Sequence, residues 1–213
     1  PDGSPLDARR AGISVHDPQD LDYGSTVLAS GQTSLVVDPP DGRIPAYTQA
    51  ADERAAVAAQ RRESRGPADS WTDRSLNERC LTWGMPNGML PQAYNNNIQI
   101  IQTPNEVMIL TEMVHDARII PLDGRPHIPE NITQWHGDAR GHWEGETLVI
   151  ETTNFSAKSS FRRSSSNLQL KERYTRIDDG LLQYEFTITD APTWDVTGYG
   201  SFPRRKCDGT VLG

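Results

Sequence analysis

The chain has 213 residues, of which 35% are apolar and 23% are charged, and these proportions suit one domain of ordinary size with a modest core. No stretch approaches the roughly 18 uncharged apolar residues of a transmembrane helix, so the sequence predicts no membrane span. The net charge of −8 argues against a general nucleic-acid-binding protein, because such a protein usually carries a basic face.

Residues 1–97 are predicted to form an extended arm, one helix and a loop that packs on the main domain. Residues 1–48 are rich in proline, glycine and aspartate, and residues 34–37 are the best strand candidate there. The helix is predicted over residues 49–64, because strong helix formers dominate this stretch and its arginines stand at the C-terminal end.

The next segment, residues 65–97, is predicted to be a loop, because its proline, glycine and asparagine content forbids long regular structure. Four of its large apolar side chains are expected to pin this loop to the core: Trp71, Leu76, Leu81 and Trp83.

From residue 98 onward, short apolar runs alternate with turn signals. Strands are predicted over residues 98–103, 106–113, 117–122, 140–144, 146–153, 168–177, 181–189 and 195–202. The residues Leu182, Tyr184, Phe186 and Ile188 alternate with polar residues, which predicts that they face the core. Residues 98–213 are therefore expected to form an all-β domain, mainly an antiparallel meander curled into a barrel or a strongly bent sheet. A two-sheet β-sandwich is the alternative.

Four of the five histidines fall within one short segment, and histidine is both the usual acid–base side chain and a common metal ligand. The candidate catalytic residues are His136, Asp138, His142 and Glu144. The candidate ligand-binding residues are His115, Arg118, Arg125, His127, Trp135, Trp143 and Glu172. Three interpretations stay open: structural histidines, acid–base chemistry in a pocket, and a zinc or copper site. No metal ligands are assigned, since His-x-His, Cys-x-x-Cys and His-Glu-x-x-His patterns are absent from the sequence.

The roles of three candidates, His142, Glu144 and Glu172, depend on which face of their strand they occupy. If Trp143 lies in the core, His142 and Glu144 face water; inside a wet barrel the same alternation would place them in the lumen. Glu172 shares a strand face with apolar residues, so it needs a partner such as Arg118, or it is a protonated acid that lines a cavity.

Several strings carry a family resemblance: ERC at residues 78–80, YNNN at 94–97, IIPLDGRPH at 119–127, GHWEGETLV at 141–149 and ETTNF at 151–155. Over residues 33–195 the chain resembles a family of exported bacterial proteins that has no established activity. The resemblance implies a periplasmic or extracellular location. That location would favour a disulfide between Cys80 and Cys207, which could otherwise both be free thiols.

Three functions follow as hypotheses. The first is an exported small-molecule-binding protein whose His- and Trp-rich segment forms the mouth of a pocket. The second is a lyase, isomerase or hydrolase that uses His136 or His142 with a neighbouring carboxylate. The third is an assembly subunit, a homo-oligomer in which the arm of residues 1–48 wraps a neighbouring copy.

Overall fold

The computed structural model describes residues 34–66, 68–159 and 161–205, with only the backbone of residue 205. These residues form nine strands and one α-helix. In chain order they are β1 (Val36–Asp38), α1 (Gln49–Glu63), β2 (Ile98–Gln102), β3 (Glu106–Thr111), β4 (Ala117–Pro121), β5 (Asp138–Glu144), β6 (Thr147–Thr153), β7 (Gln169–Arg176), β8 (Leu181–Thr189) and β9 (Gly198–Arg205).

The strands form two antiparallel sheets. The larger sheet has six strands in the order β1-β9-β8-β7-β6-β5, and the smaller has three in the order β2-β3-β4. Strands β5 to β9 are a meander in which each strand pairs with the next. Short turns join β5 to β6 and β7 to β8, whereas longer loops make the other two connections. Strand β1 comes from the segment predicted as an arm and pairs with β9, with Val36 opposite Gly200.

The predicted all-β fold with one helix is therefore confirmed. Of the arrangements considered, the two-sheet sandwich describes it, since the described residues contain no closed barrel. The strand predicted over residues 181–189 has the predicted bounds, whereas β5 begins two residues earlier than predicted, at Asp138.

The predicted helix is confirmed over Gln49–Glu63, and one end of it attaches to the domain. Thr48 caps the N-terminus by accepting a hydrogen bond from the N–H of Ala51, and its own hydroxyl donates to the carbonyl of Pro192. Ala51 is the buried residue of this helix, so its stability rests on the cap and on alanine-rich composition more than on packing.

The loop of residues 65–97 is pinned by different side chains from those predicted. Met85 and Met89 are the buried anchors, while Trp71 is 69% exposed and Leu81 is 39% exposed. Arg204 on β9 also holds the loop, because its guanidinium donates to the main-chain carbonyl of Met89. Large apolar residues in a loop predict that the loop is packed against something, but they do not show which of these residues is buried in the core and which stays exposed.

The core lies between the two sheets and contains side chains from β3 to β9. As predicted, Tyr184, Phe186 and Ile188 are buried, and Leu182 packs against them. The smaller sheet contributes Val107, Ile109 and Ile120 to the same cluster.

An ion pair joins the sheets at the middle of this core. Arg118 on β4 donates from Nη1 and Nη2 to the two carboxylate oxygens of Glu172 on β7, at 3.1 and 2.6 Å. Both side chains are almost completely buried. The hydroxyls of Tyr174 and Tyr184 donate to Glu172 Oε1 at 2.9 and 3.0 Å, and Thr152 accepts a hydrogen bond from Arg118.

The carboxylate of Glu172 stabilises Arg118 in its charged form. Burial alone would lower the pKa of Arg118, but the charge and hydrogen bonds of Glu172 outweigh it and raise that pKa above its ordinary value. Burial first, and then the charge of Glu172, raise the pKa values of Tyr174 and Tyr184 well above 10.0. Both phenols therefore stay protonated and donate to the carboxylate.

Some predictions fall outside the described part of the chain. Residues 1–33 of the arm and Cys207 lie outside it. Cys80 is exposed and forms no disulfide within the described residues, and its pairing with Cys207 stays a prediction. No helix in the described ranges is both long and apolar enough to cross a bilayer.

The buried pair makes a stability prediction. Replacing Glu172 by Gln leaves the Arg118 charge uncompensated in the core, so the free energy of unfolding should fall by about 3–5 kcal/mol in urea denaturation. The matched control is Glu151→Gln in the half-exposed Lys171–Glu151 pair, which should change it by less than about 1 kcal/mol.

A double variant tests whether the loss of stability comes from the uncompensated charge of Arg118. Arg118→Met combined with Glu172→Gln removes both charges and keeps an oxygen that accepts from both tyrosines, so it should regain much of the loss. A single Glu172→Gln variant as stable as the wild type would contradict the role given to this pair.

Candidate functional site

A groove with a volume of about 820 Å³ runs between the C-terminal end of α1, the loop of residues 71–87 and the segment around Trp135. We call it the arginine–tryptophan groove after the side chains that line it: Arg61, Arg62, Arg74, Arg79, Lys158, Trp71, Trp83 and Trp135. The volume is within the range of small-molecule sites.

The groove concentrates positive charge in an acidic protein. Five cationic side chains line it, and none of its described lining residues is acidic, although the whole chain carries a net charge of −8. Arg74 has an ion-pair partner in Glu78, at 3.3 Å. The charges of Arg61, Arg62 and Lys158 have no ion-pair partner among the described residues. The side chains that line the groove therefore carry a local excess of positive charge.

A partly buried polar network lies behind Thr82, Trp83 and Gly84, which form the base of the groove. The hydroxyl of Thr82 donates to Asp116 Oδ2 at 2.9 Å and accepts the N–H of Gly84 at 2.8 Å. The N–H of Trp83 also donates to Asp116 Oδ2, at 2.8 Å. His136 completes the network, with Nε2 at 2.7 Å from Thr82 Oγ1 and 3.2 Å from Asp116 Oδ2.

The pattern of donors fixes where the protons lie. Since Asp116 accepts the proton of Thr82, the proton between His136 and Thr82 must come from Nε2 of the imidazole. Thr82 is therefore held as a hydrogen-bonded hydroxyl and is not activated as a nucleophile by this histidine. The network fixes the wall of the groove that carries Trp83.

A strained turn delivers Asp116 to this network. Val114 and His115 both have positive φ angles, 60° and 56°, a conformation that side chains rarely adopt and that is costly for a β-branched residue. The turn reverses the chain between β3 and β4 and places Asp116 directly before β4. His115 itself is exposed and does not line the groove.

Asp116 is stabilised in its charged form. Partial burial alone would raise the pKa of this carboxyl, but the hydrogen bond from His136, followed by those from the Trp83 N–H and Thr82, lowers it below 3.8. Asp116 therefore acts as a permanent acceptor near neutral pH.

A second cluster lies on the other side of Gly137. Asp138 is buried at the start of β5, and its carboxylate accepts hydrogen bonds from His127 Nδ1 at 2.9 Å, from the N–H of Ile128 at 3.1 Å and from Arg140 at 2.7 Å. His127 also lines a polar cavity of about 800 Å³. A carboxylate that holds Nδ1 leaves Nε2 of the imidazole available for proton transfer.

Gly137 explains why His136 and Asp138, which are close along the chain, contact different partners. It has a φ angle of 69°, and an added Cβ would lie only 2.5 Å from the carbonyl oxygen of Thr153. The tight turn at Gly137 sends His136 to Thr82 and Asp138 to His127, so the two side chains share no partner. This glycine serves a turn against β6.

His142 and Glu144 form a third group, on the outer face of the larger sheet. Both are exposed, with His142 Nε2 at 3.3 Å from Glu144 Oε1. Arg173 lies 2.7 Å from the same carboxylate, and its hydrogen bond, followed by that of His142, lowers the pKa of Glu144. Trp143 points to the other face at the sheet edge and is 45% exposed.

The remaining predicted residues also lie apart from the groove. Arg118 and Glu172 are buried in the core, as the ion-pair interpretation of Glu172 expects. Arg125 is exposed and pairs with Asp123 at 2.6 Å. Of the eleven predicted residues, Trp135 lines the groove and His136 contacts its base.

Sequence reasoning missed most of the groove. Thr82, Asp116 and the cations of α1 are far from His136 along the chain and meet only in the fold. One signal was present: arginines and tryptophans recur together from Arg61 to Trp83. Guanidinium groups can both bind anions and stack on aromatic rings.

The described ranges contain no group of three or more His, Cys, Asp or Glu side chains that is arranged to hold a metal ion. Comparison of the chain with models of protein families, with curated proteins and with solved structures gave no match.

The network at the base of the groove makes a pH prediction. Because its folded-state pKa lies below 3.8, the Asp116 carboxylate stabilises the fold above that pH, and the stabilisation is lost as pH falls through the lowered value. Asp116→Asn should therefore reduce the free energy of unfolding by about 1–3 kcal/mol near pH 7, and the difference from wild type should shrink near pH 3.

Chemical denaturation at both pH values measures this difference. Asp179→Asn is the control, because Asp179 is fully exposed and pairs only with Arg176. A difference that stays constant between the two pH values would show that Asp116 does not act as a charged acceptor.

Proposed function

We propose that the protein binds a small organic anion in the arginine–tryptophan groove. The observation that supports this most is the charge of the groove: five cations and no acidic lining residue in a chain of net charge −8. Cations without acidic partners attract a counter-ion, and guanidinium groups donate to phosphate, sulfonate or carboxylate in a bidentate manner.

This proposal keeps the small-molecule-binding hypothesis and moves its site. Trp135 and His136 are shared with the predicted pocket, while the charged walls come from α1 and the loop of residues 71–87. Location outside the cytoplasm remains part of the proposal and rests on the family resemblance.

Citrate titrations by isothermal calorimetry test the proposal. At about 20 mM salt, citrate should bind with a dissociation constant on the order of 0.1–1 mM, and raising the salt to about 200 mM should weaken it, because partly exposed charges are screened. The double variant Arg61→Gln/Arg62→Gln should weaken binding about tenfold, since each exposed pair contributes up to about 1 kcal/mol.

The matched control is Arg176→Gln, which removes an exposed arginine outside the groove. Equal citrate affinity in the wild type and in the Arg61/Arg62 double variant would overturn the proposal.

Acid–base chemistry is a second candidate function, and the His127–Asp138 contact favours it. A buried carboxylate orients the imidazole, and the polar cavity beside it has room for a substrate. In such a site Nε2 would take a proton from water or from a substrate hydroxyl.

Hydrolysis of p-nitrophenyl acetate tests this candidate. His127→Gln should lower the protein-catalysed rate at least tenfold, because general-base catalysis contributes on the order of 10²-fold or more. His142→Gln is the control, since His142 also contacts a carboxylate but is exposed on an open sheet face. Equal rates in all three proteins would exclude a catalytic role for His127.

A further inference from the structure

We propose that the anion bound in the arginine–tryptophan groove is aromatic, an aryl phosphate, sulfonate or carboxylate. This inference rests on the proposed anion-binding function and specifies the uncharged part of the ligand as an aromatic ring. It is drawn from the indoles of the groove and from the position of Arg79.

The indoles present apolar ring surface to the groove. Trp71 is 69% exposed and Trp135 is 37% exposed, and both line the groove together with Trp83. Three indoles in one groove are a large share of the five tryptophans of the chain. Because indole surface in water is unfavourable, a flat apolar group that covers it gains free energy on binding.

Arg79 stacks on one of these indoles, that of Trp71. Its guanidinium carbon lies 4.4 Å from the centre of the Trp71 ring, in a cation–π contact. An indole has two faces, and because Trp71 is 69% exposed, we infer that the face away from Arg79 is available to a ligand. A ligand ring can stack on that face while its acidic group remains within reach of the cations around it.

The cationic side chains and the indoles of the groove together favour a ligand that has both a negative charge and an aromatic ring. A purely inorganic anion would leave the indoles in water, and a neutral aromatic compound would leave Arg61, Arg62 and Lys158 without a counter-ion. An aliphatic anion would cover the indoles but would lack the ring–ring and ring–guanidinium contacts. An aromatic anion satisfies both sets of side chains.

A pair of matched phosphates tests the inference. Phenyl phosphate and cyclohexyl phosphate have the same charge and ring size, and they differ in aromaticity. Measured by isothermal calorimetry at low salt, the wild type should bind phenyl phosphate on the order of tenfold more tightly than cyclohexyl phosphate. Phenol, which lacks the charge, should bind more weakly than phenyl phosphate.

Variants assign the preference to the groove. Trp71→Leu and Trp135→Leu should each reduce the preference for phenyl phosphate, while the affinity for cyclohexyl phosphate changes less than twofold. Trp143→Leu is the control, because Trp143 is a half-exposed tryptophan outside the groove, and it should leave the preference unchanged.

The outcomes separate the two proposals. Equal affinity for both phosphates, with both weakened by the Arg61/Arg62 double variant, overturns the aromatic ligand and leaves anion binding intact. Absence of binding by either phosphate and by citrate overturns anion binding itself. A preference that survives both tryptophan variants also overturns this inference, because the ring would then bind elsewhere.

Discussion

The ion pair between Arg118 and Glu172 constrains how the two sheets can pack, because neither charge can be buried without the other. It joins the start of β4 to the middle of β7, and two tyrosine hydroxyls donate to the same carboxylate. Since an unpaired charge in a core is strongly unfavourable, only the register that brings these two residues together is tolerated. The ion pair is also close to the groove, because Asp116 lies two residues before Arg118, at the end of the strained turn. The core thereby helps to position the base of the groove.

The groove and the rest of the surface have opposite charge, and this contrast gives the protein its proposed function. An acidic molecule of net charge −8 repels anions in general, so local concentration of five cations is needed to hold one. Because ion pairs at an open surface are weak, we propose that the indoles supply much of the affinity and the selectivity for the ligand. The network of Thr82, Asp116 and His136 then serves to keep one indole-bearing wall rigid.

The sequence predicted the elements of the fold well but not which residues line the groove, and the reasons are physical. Alternation along β8 determines which side chains face inward, so Tyr184 and Phe186 were predicted correctly, and apolar neighbours made Glu172 recognisable as a buried carboxylate that needs a partner. The histidines were grouped because they are close along the chain, but the turn at Gly137 and the alternation of β5 send His136, Asp138 and His142 to different surroundings. The groove is lined by the helix and by loops that are distant along the chain, and a local sequence pattern does not show which distant segments meet.

An NMR titration of the five indole N–H groups with phenyl phosphate examines the groove residue by residue. The indole signals of Trp71, Trp83 and Trp135 should shift together along one binding curve, because these rings line the groove. Those of Trp143 on β5 and Trp194 in the core should remain in place, which makes them internal controls. Shifts confined to Trp143 and Trp194, or no shift in any indole signal at millimolar phenyl phosphate, would contradict an aromatic anion site in this groove.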